Sequence, residues 1–523
     1  MTKTFRVPLT LSVFCLGACT AVGPEYVQPE VPLAPEWYHA ERAGYASSAE
    51  EQLRWWKRLN DPVLDELVEQ AHQQNNSLKI AGLRILESRA QLAIAAGNQY
   101  PQSQAVVGDA TAVQASKNAA NTAAGDLSFT QFNVGVGASW EMDFWGKFRR
   151  GVEAADAAYL ASIAGFDQVM VLITAQVCGT YLAIRTLEEQ LRITTENIAI
   201  QQRSYDIVDV QFQNGSTSEL DVLQARTQLL STKSSIPQLM TELYQAKHAM
   251  STLLGMAPAD INSLLRGGTS IPTIPEEAIV GIPADLLRQR PDVRQAEYRA
   301  MAQNASVGLA EANLYPSFSI SGSLGLSAAG NTDTTRTGKS GFGQLFDTDS
   351  VTYAVGPSFV WPFLNYGRIR NSVRVQDARL QQALIAYKET ALQAAREVED
   401  AMVALEGARQ QDSLLRDTVV NASRSSDVAL LRFNEGFADY QRVLTAQQAL
   451  FAQQSRYVGN KSKVVSSFIS LYLALGGGWQ VRYETDLIDE QTRDELAERT
   501  NWGDLIETTE TENRTAISGP EPR

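Results

Sequence analysis

The second half of the chain repeats the first half. Tyr100-Pro101 recurs as Tyr315-Pro316, 215 residues later, and further matches follow at a spacing of 221 residues. The pairs at the wider spacing are Trp140/Trp361, Gly146/Gly367, Phe212/Phe433, Gly215/Gly436, Leu223/Leu444 and Gly255/Gly476. The spacing widens by six residues between Pro101 and Trp140, and a loop between two strands accommodates such an insertion easily. The chain is therefore predicted to fold as two copies of one unit.

Each copy has the order helix, strand, loop, strand, long helix, glycine turn, helix. Repeat one is assigned to residues 61–255, with a β-hairpin at about 100–145, a long helix at 147–213 and a turn at 212–223. Repeat two is assigned to 283–476, with a hairpin at about 315–364, a long helix at 368–434, a turn at 433–444 and a return helix to 475. Residues 256–282, which are rich in Pro and Gly, are predicted to form an irregular linker.

Apolar and polar residues alternate along the predicted strands. The alternation is regular from Gln131 to Phe144, returns from Ser317 to Ser327 and again from Val351, and is weak from Gln102 to Val113. Alternation over about 10 residues is typical of a transmembrane β-strand with one face toward lipid. A half-buried strand of a soluble sheet has the same period, and it is the alternative.

Aromatic residues and prolines mark the ends of these strands. Trp140, Phe144, Trp145, Trp361 and Phe363 are arranged as in an interfacial aromatic girdle. Because proline lacks an N–H, Pro357 and Pro362 indicate an edge strand or a bulge.

Four strands cannot close a barrel, which needs about eight or more. Because open edges are not tolerated in lipid, copies of the chain must complete the ring. Two copies would give eight strands and a filled interior, whereas three would give twelve and room for a pore. Small polar-face residues such as Gly135, Gly137, Ser319 and Ser321 favour three copies.

Two segments without proline, Lys147 to Gln213 and Arg368 to Asn434, are predicted to be helices of 67 residues each. At 1.5 Å per residue each helix would measure about 100 Å. The second carries an apolar residue every three or four positions, as in a coiled coil. An ordinary four-helix bundle is the alternative, but helices in such domains average far fewer residues.

The N-terminus is typical of a bacterial lipoprotein precursor. Residues 1–18, with Lys3 and Arg6 before an apolar stretch, are predicted to be a signal peptide. Leu16-Gly17-Ala18-Cys19 resembles the lipobox, so Cys19 is the predicted lipidation site at the start of an N-terminal segment, 19–60. Thr20 follows in place of the Asp of an inner-membrane retention signal, which indicates the outer membrane. Several acyl chains anchor a protein stably.

Other features argue against catalysis and nucleic-acid binding. The net charge of -14 is opposite to that of proteins with basic nucleic-acid sites. The three histidines are scattered and Cys178 has no partner cysteine, so neither a metal site nor a cofactor is expected. No stretch of about 18 consecutive apolar residues follows the signal peptide, so no membrane helix is expected. The tail from about Arg482 within 477–523 is predicted to be largely disordered.

A family resemblance rests on several of these motifs together. The sequence resembles the TolC/OprM outer membrane factors in its lipobox, its Tyr-Pro strand starts, its corners Trp145-Gly146 and Tyr366-Gly367, and its two Phe-x-x-Gly turns. The lipidated start resembles the NodT-like branch of that family. The resemblance implies a membrane α+β fold: a homotrimer with a 12-stranded β-barrel, a long periplasmic α-helical barrel and an equatorial belt. It also implies a periplasmic adaptor and an inner-membrane transporter, of the RND type, as partners.

The resemblance places the functional residues at the two helical turns. The predicted adaptor contacts are Phe212, Gly215, Leu220, Leu223, Phe433, Gly436, Val443 and Leu444. The predicted gate residues are Asp221, Glu435, Asp439, Gln441 and Arg442. Asp221 and Arg442 stand at equivalent positions of the two repeats with opposite charges, so they are predicted to pair between the hairpins and to hold the closed state.

The function expected from these features is the outer-membrane channel of a tripartite efflux pump that exports small molecules such as drugs and toxic compounds. The alternative with the same fold is a type I protein-secretion duct. A lipid-anchored filament or adhesin without a pore is a second alternative, and a hydrolytic enzyme has the least support.

Overall fold

The computed structural model describes residues 21–32, 37–39, 53–118, 127–266, 270–275, 287–331, 341–484 and 486–506. Cys19, the predicted signal peptide, parts of the predicted linker and residues 507–523 lie outside the described residues. The chain divides into two compact units, and each is described by itself. The first contains residues 1–28, 87–159 and 297–385, and the second contains 29–86, 160–296 and 386–523.

The first unit is built on a four-stranded antiparallel sheet in the order β1-β2-β3-β4. Its strands are β1 (Ser103–Gln114), β2 (Ser128–Met142), β3 (Ser317–Asn331) and β4 (Val351–Val360). Each repeat supplies one hairpin, and pairing of β2 with β3 joins the two hairpins. β1 and β4 are the sheet edges, so each leaves one side of its backbone without a strand partner among the described residues of the protomer.

The two faces of the sheet differ in chemistry, as the alternation predicts. On one face Val136 lies opposite Val106 and Leu324, and Leu324 lies opposite Tyr353. On the other face the Asn133 amide donates to the Asp109 carboxylate at 3.1 Å and accepts from the Ser327 hydroxyl at 2.8 Å. Directly opposed side chains are the unit of sheet stabilisation, so each face is continuous across the strands.

The strand ends differ in detail from the sequence prediction. β1 pairs with β2 over its full length despite its weak alternation, because its neighbour fixes its register. β2 ends at Met142 and β4 at Val360, so Phe144, Trp361 and Phe363 follow the strands rather than lying in them. Pro357 lies inside β4, which is an edge strand in the protomer, as its missing N–H predicts. Indole N–H groups at the strand ends donate to main-chain carbonyls: Trp140 to Gln99, Trp145 to Pro316 and Trp361 to Leu314.

The helices have matching lengths in the two repeats. In chain order they are α1 (Pro62–Gln74), α2 (Asn76–Gly97), α3 (Lys147–Gln213), α4 (Glu219–Leu253), α5 (Pro291–Ala312), α6 (Gly341–Gln344), α7 (Arg368–Asn434), α8 (Tyr440–Ala474) and α9 (Glu490–Arg499). α2 and α5 have 22 residues each, α3 and α7 have 67, and α4 and α8 have 35. Two copies of one folded unit account for this equality.

Equivalent side chains join the end of each repeat to its beginning. The Asn75 amide, just before α2, donates to the Leu253 carbonyl at the end of α4 at 2.8 Å. At the equivalent place, the Arg290 guanidinium, just before α5, donates to the Ala474 carbonyl at the end of α8. The last carbonyls of a helix have no partner within the helix, so these donors satisfy them.

A buried charge cluster holds α3, α5 and the segment after α8 together in the second unit. Asp167 is fully buried, and its carboxylate lies 2.6 Å from Arg482 and 3.5 Å from Arg294. The Arg294 guanidinium also stacks on the Trp479 ring at 4.8 Å from the centroid. Arg482 is 2% exposed, and the Asp167 carboxylate compensates its buried charge at close range.

Among the described residues, helix α3 contains a window of 18 residues that is long and apolar enough, by composition alone, to cross a membrane. This window is not a continuous apolar run, which agrees with the sequence analysis. Of that apolar window, 61% is buried inside the protein. Cys178 lies in this helix, is 1% exposed, and burial raises the pKa of its thiol. A core helix has these properties, and we read α3 as one.

The prediction of a largely disordered tail is wrong for its first part. Residues 490–499 form helix α9, and the Asp489 carboxylate caps it by accepting from the Thr492 N–H at 2.7 Å. Asp489 also pairs with Lys79 of α2 at 2.7 Å, and Ile488 is buried beside Gly82 of the same helix. One apolar anchor and one ion pair dock this segment, so it needs no apolar periodicity of its own.

We expect Asp167→Ala to lower the free energy of unfolding by ~3 kcal/mol, because it removes the buried carboxylate that pairs with both Arg482 and Arg294. Denaturant unfolding of the detergent-purified protein, followed by tryptophan fluorescence, measures this. Glu196→Ala is the matched control: it removes an exposed ion pair with Arg192 and should change stability by less than ~1 kcal/mol. Equal effects of the two substitutions would contradict this role for Asp167.

Candidate functional site

Each long helix ends at a glycine turn with the same hydrogen bonds. Gly215 has a φ of 72° and Gly436 a φ of 79°, a left-handed conformation that favours glycine. At the first turn, Gly215 N–H donates to the Phe212 carbonyl and Ser216 N–H to the Gln211 carbonyl, both at 2.8 Å. At the second turn, Gly436 N–H and Phe437 N–H donate in the same way to the carbonyls of Phe433 and Arg432. This is the Schellman ending of a helix, and the predicted turns have it.

Different caps start the two return helices. Ser218 caps α4 in a capping box: its hydroxyl accepts from the Asp221 N–H, and the Asp221 carboxylate accepts from the Ser218 N–H at 3.1 Å. Asp439 caps α8 by accepting from the Arg442 N–H at 3.3 Å. Of the predicted gate residues, Asp439 is therefore the N-cap of α8, and Asp221 is the third helical residue that completes the capping box of α4.

An apolar cluster fills the space between the hairpin α3–α4 and the hairpin α7–α8 near these turns. Its buried members are Val208, Ala225, Phe433, Tyr440, Val443 and Leu444. The rings of Phe433 and Tyr440 pack edge to face with centroids 5.5 Å apart. We name this set the turn cluster, and it attaches the second turn to the first hairpin.

The predicted contact residues divide into two groups by exposure. Phe212, Leu220 and Leu223 of the first turn are 40%, 61% and 52% exposed. In the second turn, Phe433, Val443 and Leu444 are instead buried, because they belong to the turn cluster. These three side chains are buried in the protomer, and their contact with an adaptor stays a prediction. Gly215 and Gly436 face open space, and Phe437, which was not predicted, is 73% exposed.

The predicted pair of Asp221 and Arg442 does not form within the described part of one protomer. The Asp221 carboxylate accepts hydrogen bonds from the hydroxyls of Thr217 and Ser218, both at 2.7 Å. Burial opposes ionisation of Asp221, but these hydrogen bonds and the Ser218 N–H outweigh it and hold its pKa below the usual value. Glu435, Gln441 and Arg442 are exposed at the second turn.

Asp221 instead faces the second hairpin through Tyr440. Burial and the charge of Asp221 together raise the pKa of the Tyr440 hydroxyl to about 12. Tyr440 is 2% exposed and also packs on Phe433. Tyr440 is therefore the residue that brings the capped first turn and the second turn together. Tyr440 is the first residue of α8 and follows the cap Asp439, and an aromatic residue at this place in the sequence indicates packing against the turn.

A seam of buried polar residues follows the turn cluster along α3 and α8. The Gln447 amide donates to the Ser204 hydroxyl, and the Asn197 amide donates to the Gln454 carbonyl oxygen, both at 2.6 Å. Gln201 lies between them on α3, is 2% exposed, and neither its amide nitrogen nor its oxygen has a partner among the described residues. Unsatisfied buried polar groups lower stability, so α3 and α8 are held less tightly here than an apolar seam would hold them.

The described N-terminal residues dock where β2 turns into α3. Val22 N–H donates to the Trp145 carbonyl at 3.0 Å, and the Arg150 guanidinium donates back to the Val22 carbonyl at 3.1 Å. Ala21 lies so close to Gly146 that a Cβ on this glycine would be 2.4 Å from the alanine Cβ. Position 146 therefore requires a glycine, and residue 21 is fixed at the end of a strand. One residue, Thr20, separates it from Cys19 in the sequence.

Comparisons with known proteins agree with this architecture. The sequence profile described as outer membrane efflux protein matches residues 67–256 and 282–477, which is most of both repeats. The chain is 28% identical over 480 residues to the cation efflux system protein CusC of Escherichia coli O6:H1, an alignment that covers 90% of this chain and 99% of CusC. It is 27% identical over 470 residues to nodulation protein T of Rhizobium leguminosarum bv. trifolii, covering 89% and 95% of the two chains.

A solved structure of the outer-membrane channel OprN superposes on the fold. Its TM-score is 0.80 at 28% identity, and the alignment covers 88% of this chain and 99% of OprN. The profile matches to both repeats, the nearly full-length relatives and the shared channel fold agree with the two-faced sheet and the paired long helices. The chain therefore belongs to the outer membrane efflux protein family, and it is an outer-membrane efflux channel rather than an enzyme.

Proposed function

We propose that three copies of the chain close one 12-stranded β-barrel, with β4 of each protomer pairing with β1 of the next. The observation that carries this proposal is the pair of open sheet edges beside a continuous apolar face. In lipid, each unpaired backbone group costs several kcal/mol, so both edges need a strand partner. Three protomers supply twelve strands, enough for a water-filled interior lined by the small polar face.

The proposed channel works as the outer part of a tripartite pump. A periplasmic adaptor binds the helical turns, and an inner-membrane transporter of the RND type supplies the energy. The efflux family and its relatives favour this over type I protein secretion. The name of CusC assigns cations to that relative; for this chain we propose small toxic molecules as the substrates, and drug and metal susceptibility of a deletion strain tests that class.

We expect the full-length protein, purified in detergent, to have the mass of three protomers and to produce stepwise conductance in planar lipid bilayers. The physical reason is that only the assembled barrel satisfies the edge strands and encloses water. The control is the same preparation after heating in dodecyl sulfate, which should yield monomers and no steps. A monomer that stays soluble without detergent would contradict the assembly.

We propose further that the two turns of each protomer have different tasks. The first turn exposes Phe212, Leu220 and Leu223, and offers them to the adaptor. The second turn is held to the first hairpin by the turn cluster and keeps the resting channel closed. Opening then requires Phe433 and Tyr440 to leave their packed positions, and the unsatisfied polar seam beside them makes this movement less costly.

Phe433→Ala and Phe212→Ala form a matched pair, since the two positions are equivalent in the repeats. We expect Phe433→Ala to create a cavity, destabilise the turn cluster by roughly 3–5 kcal/mol and make the resting channel leak. Phe212→Ala should leave the resting channel closed and reduce copurification of the adaptor. Single-channel recording, entry of a large antibiotic into cells, and pull-down of the adaptor measure these effects. Leakage from Phe212→Ala alone would reverse the proposed tasks.

We propose that Cys19 carries acyl chains that insert in the inner leaflet of the outer membrane. Support comes from the docking of Ala21 and Val22 at the junction of β2 and α3, where a transmembrane strand ends at the periplasmic side in the proposed topology. A chain of two residues spans at most about 7 Å, so the acylated sulfur stays beside the barrel wall.

Cys19→Ser is expected to abolish palmitate incorporation, because the serine hydroxyl does not replace the thiol in lipoprotein maturation. Metabolic labelling and mass spectrometry of the N-terminal peptide measure this. Cys178→Ala, which removes the buried cysteine, should keep full labelling and is the matched control. Thr20→Asp should keep the label but move the protein to the inner-membrane fraction. Labelling that survives in Cys19→Ser would exclude Cys19 as the modified residue.

A further inference from the structure

The described part of the segment between β3 and β4, residues 341–350, packs on the sheet. Helix α6 begins at Gly341, where a Cβ would lie 2.4 Å from the Gly330 nitrogen, so only glycine allows this close approach to β3. Leu345, just after α6, is 4% exposed, and Ser350 closes the segment by donating from its hydroxyl to the Gln344 carbonyl at 2.7 Å. These contacts give the segment a fixed place on the sheet.

The face that α6 covers is the apolar one. Ala328 of β3 lies opposite Phe132 of β2, and opposed residues of neighbouring strands project from the same face. Ala328 is 8% exposed, and the ring of Phe342 packs edge to face on Phe132 with centroids 5.5 Å apart. Phe132 belongs to the apolar row of β2. The segment therefore folds outward over the lipid-facing side and does not fold over the polar side.

Two aromatic rings remain exposed on the outside of this segment. Phe342 is 58% exposed and Phe346 is 70% exposed, and their ring centroids lie 6.2 Å apart. Asp347 and Asp349 follow as exposed charged residues. Aromatic rings beside polar groups are typical of segments at a membrane interface. α6 lies on the central strands β2 and β3, so a protomer that pairs with β1 or β4 does not account for these rings.

Phe132, on which Phe342 packs, lies toward the end of β2 opposite to Met142. Met142 is ten positions after Phe132, which is about 34 Å along a strand that rises ~3.4 Å per residue. At the usual tilt of about 40°, this spans about 26 Å across the bilayer, close to the ~25 Å apolar band of outer-membrane barrels. The aromatic residues that follow Met142 lie at one boundary of this band, and Phe342 lies at the other.

We propose that Phe342 and Phe346 anchor the channel in the outer leaflet by inserting among its acyl chains, with Asp347 and Asp349 in the head-group layer. The inference rests on the proposed orientation of the barrel in the membrane. It adds an outer anchor to the inner anchor at Cys19. The two anchors would hold the apolar band at a fixed height in the bilayer and resist its tilting.

Spin labels on single cysteines test this proposal. Phe342→Cys, Phe346→Cys and Asp349→Cys are made in the Cys178→Ala background, labelled with a nitroxide and reconstituted in phospholipid vesicles. Power saturation then compares collisions with oxygen, which concentrates in acyl chains, and with a water-soluble nickel chelate. We expect the ratio of oxygen to nickel accessibility to be several-fold higher at positions 342 and 346 than at 349, which serves as the control in the same segment.

Two results would overturn the anchor. High nickel accessibility at 342 and 346 would place the rings in water, and low accessibility to both reagents would mean that protein covers them. Val136→Cys, on the apolar face of β2, separates this failure from failure of the barrel itself. If position 136 contacts lipid and 342 does not, only the anchor is wrong; if position 136 is also in water, the proposed barrel orientation is wrong.

Discussion

The unpaired backbone groups at the edges of β1 and β4 determine how this chain can exist in a membrane. A lipid environment offers no hydrogen-bond donor or acceptor, so a sheet with an apolar face and open edges has no stable form alone. Assembly is then a condition of folding rather than an addition to it. The equal lengths of the paired helices have a different origin, the duplication of one folded unit.

The two repeats have the same backbone fold but expose different side chains. Phe212 and Phe433 occupy equivalent positions with the same glycine turn after them, yet one is exposed and the other lies in the turn cluster. The difference arises at position 440, where a tyrosine replaces the Glu219 of the first repeat and fills the space beside Phe433. The proposed division of tasks between the two turns therefore needs only a few changed side chains.

Sequence periodicity predicted the parts of the fold that depend on local pattern. The alternation of β2 and β3 gave the two-faced sheet, and the absence of proline marked α3 and α7, because both patterns act within a few residues. It did not predict which turn residues are buried, because that depends on contacts between Val208 and Val443 across the two hairpins. Nor did it predict α9 or the outward fold of α6. Each depends on single close approaches to distant backbone, at Gly82 and at Gly330.

The buried polar groups of the second unit differ in charge, and this difference bears on where the molecule can move. Asp167 between Arg482 and Arg294, and Arg290 with its carbonyl and carboxylate partners, are buried charges that tolerate no displacement without a large loss of energy. Gln201 and Gln447, beside the turn cluster, are in contrast uncharged buried amides. A shift of α8 along α3 that brought these two amides together would gain a hydrogen bond where others are lost. The proposed opening movement is therefore less costly at the seam, whose buried polar groups are uncharged, than at the charge clusters.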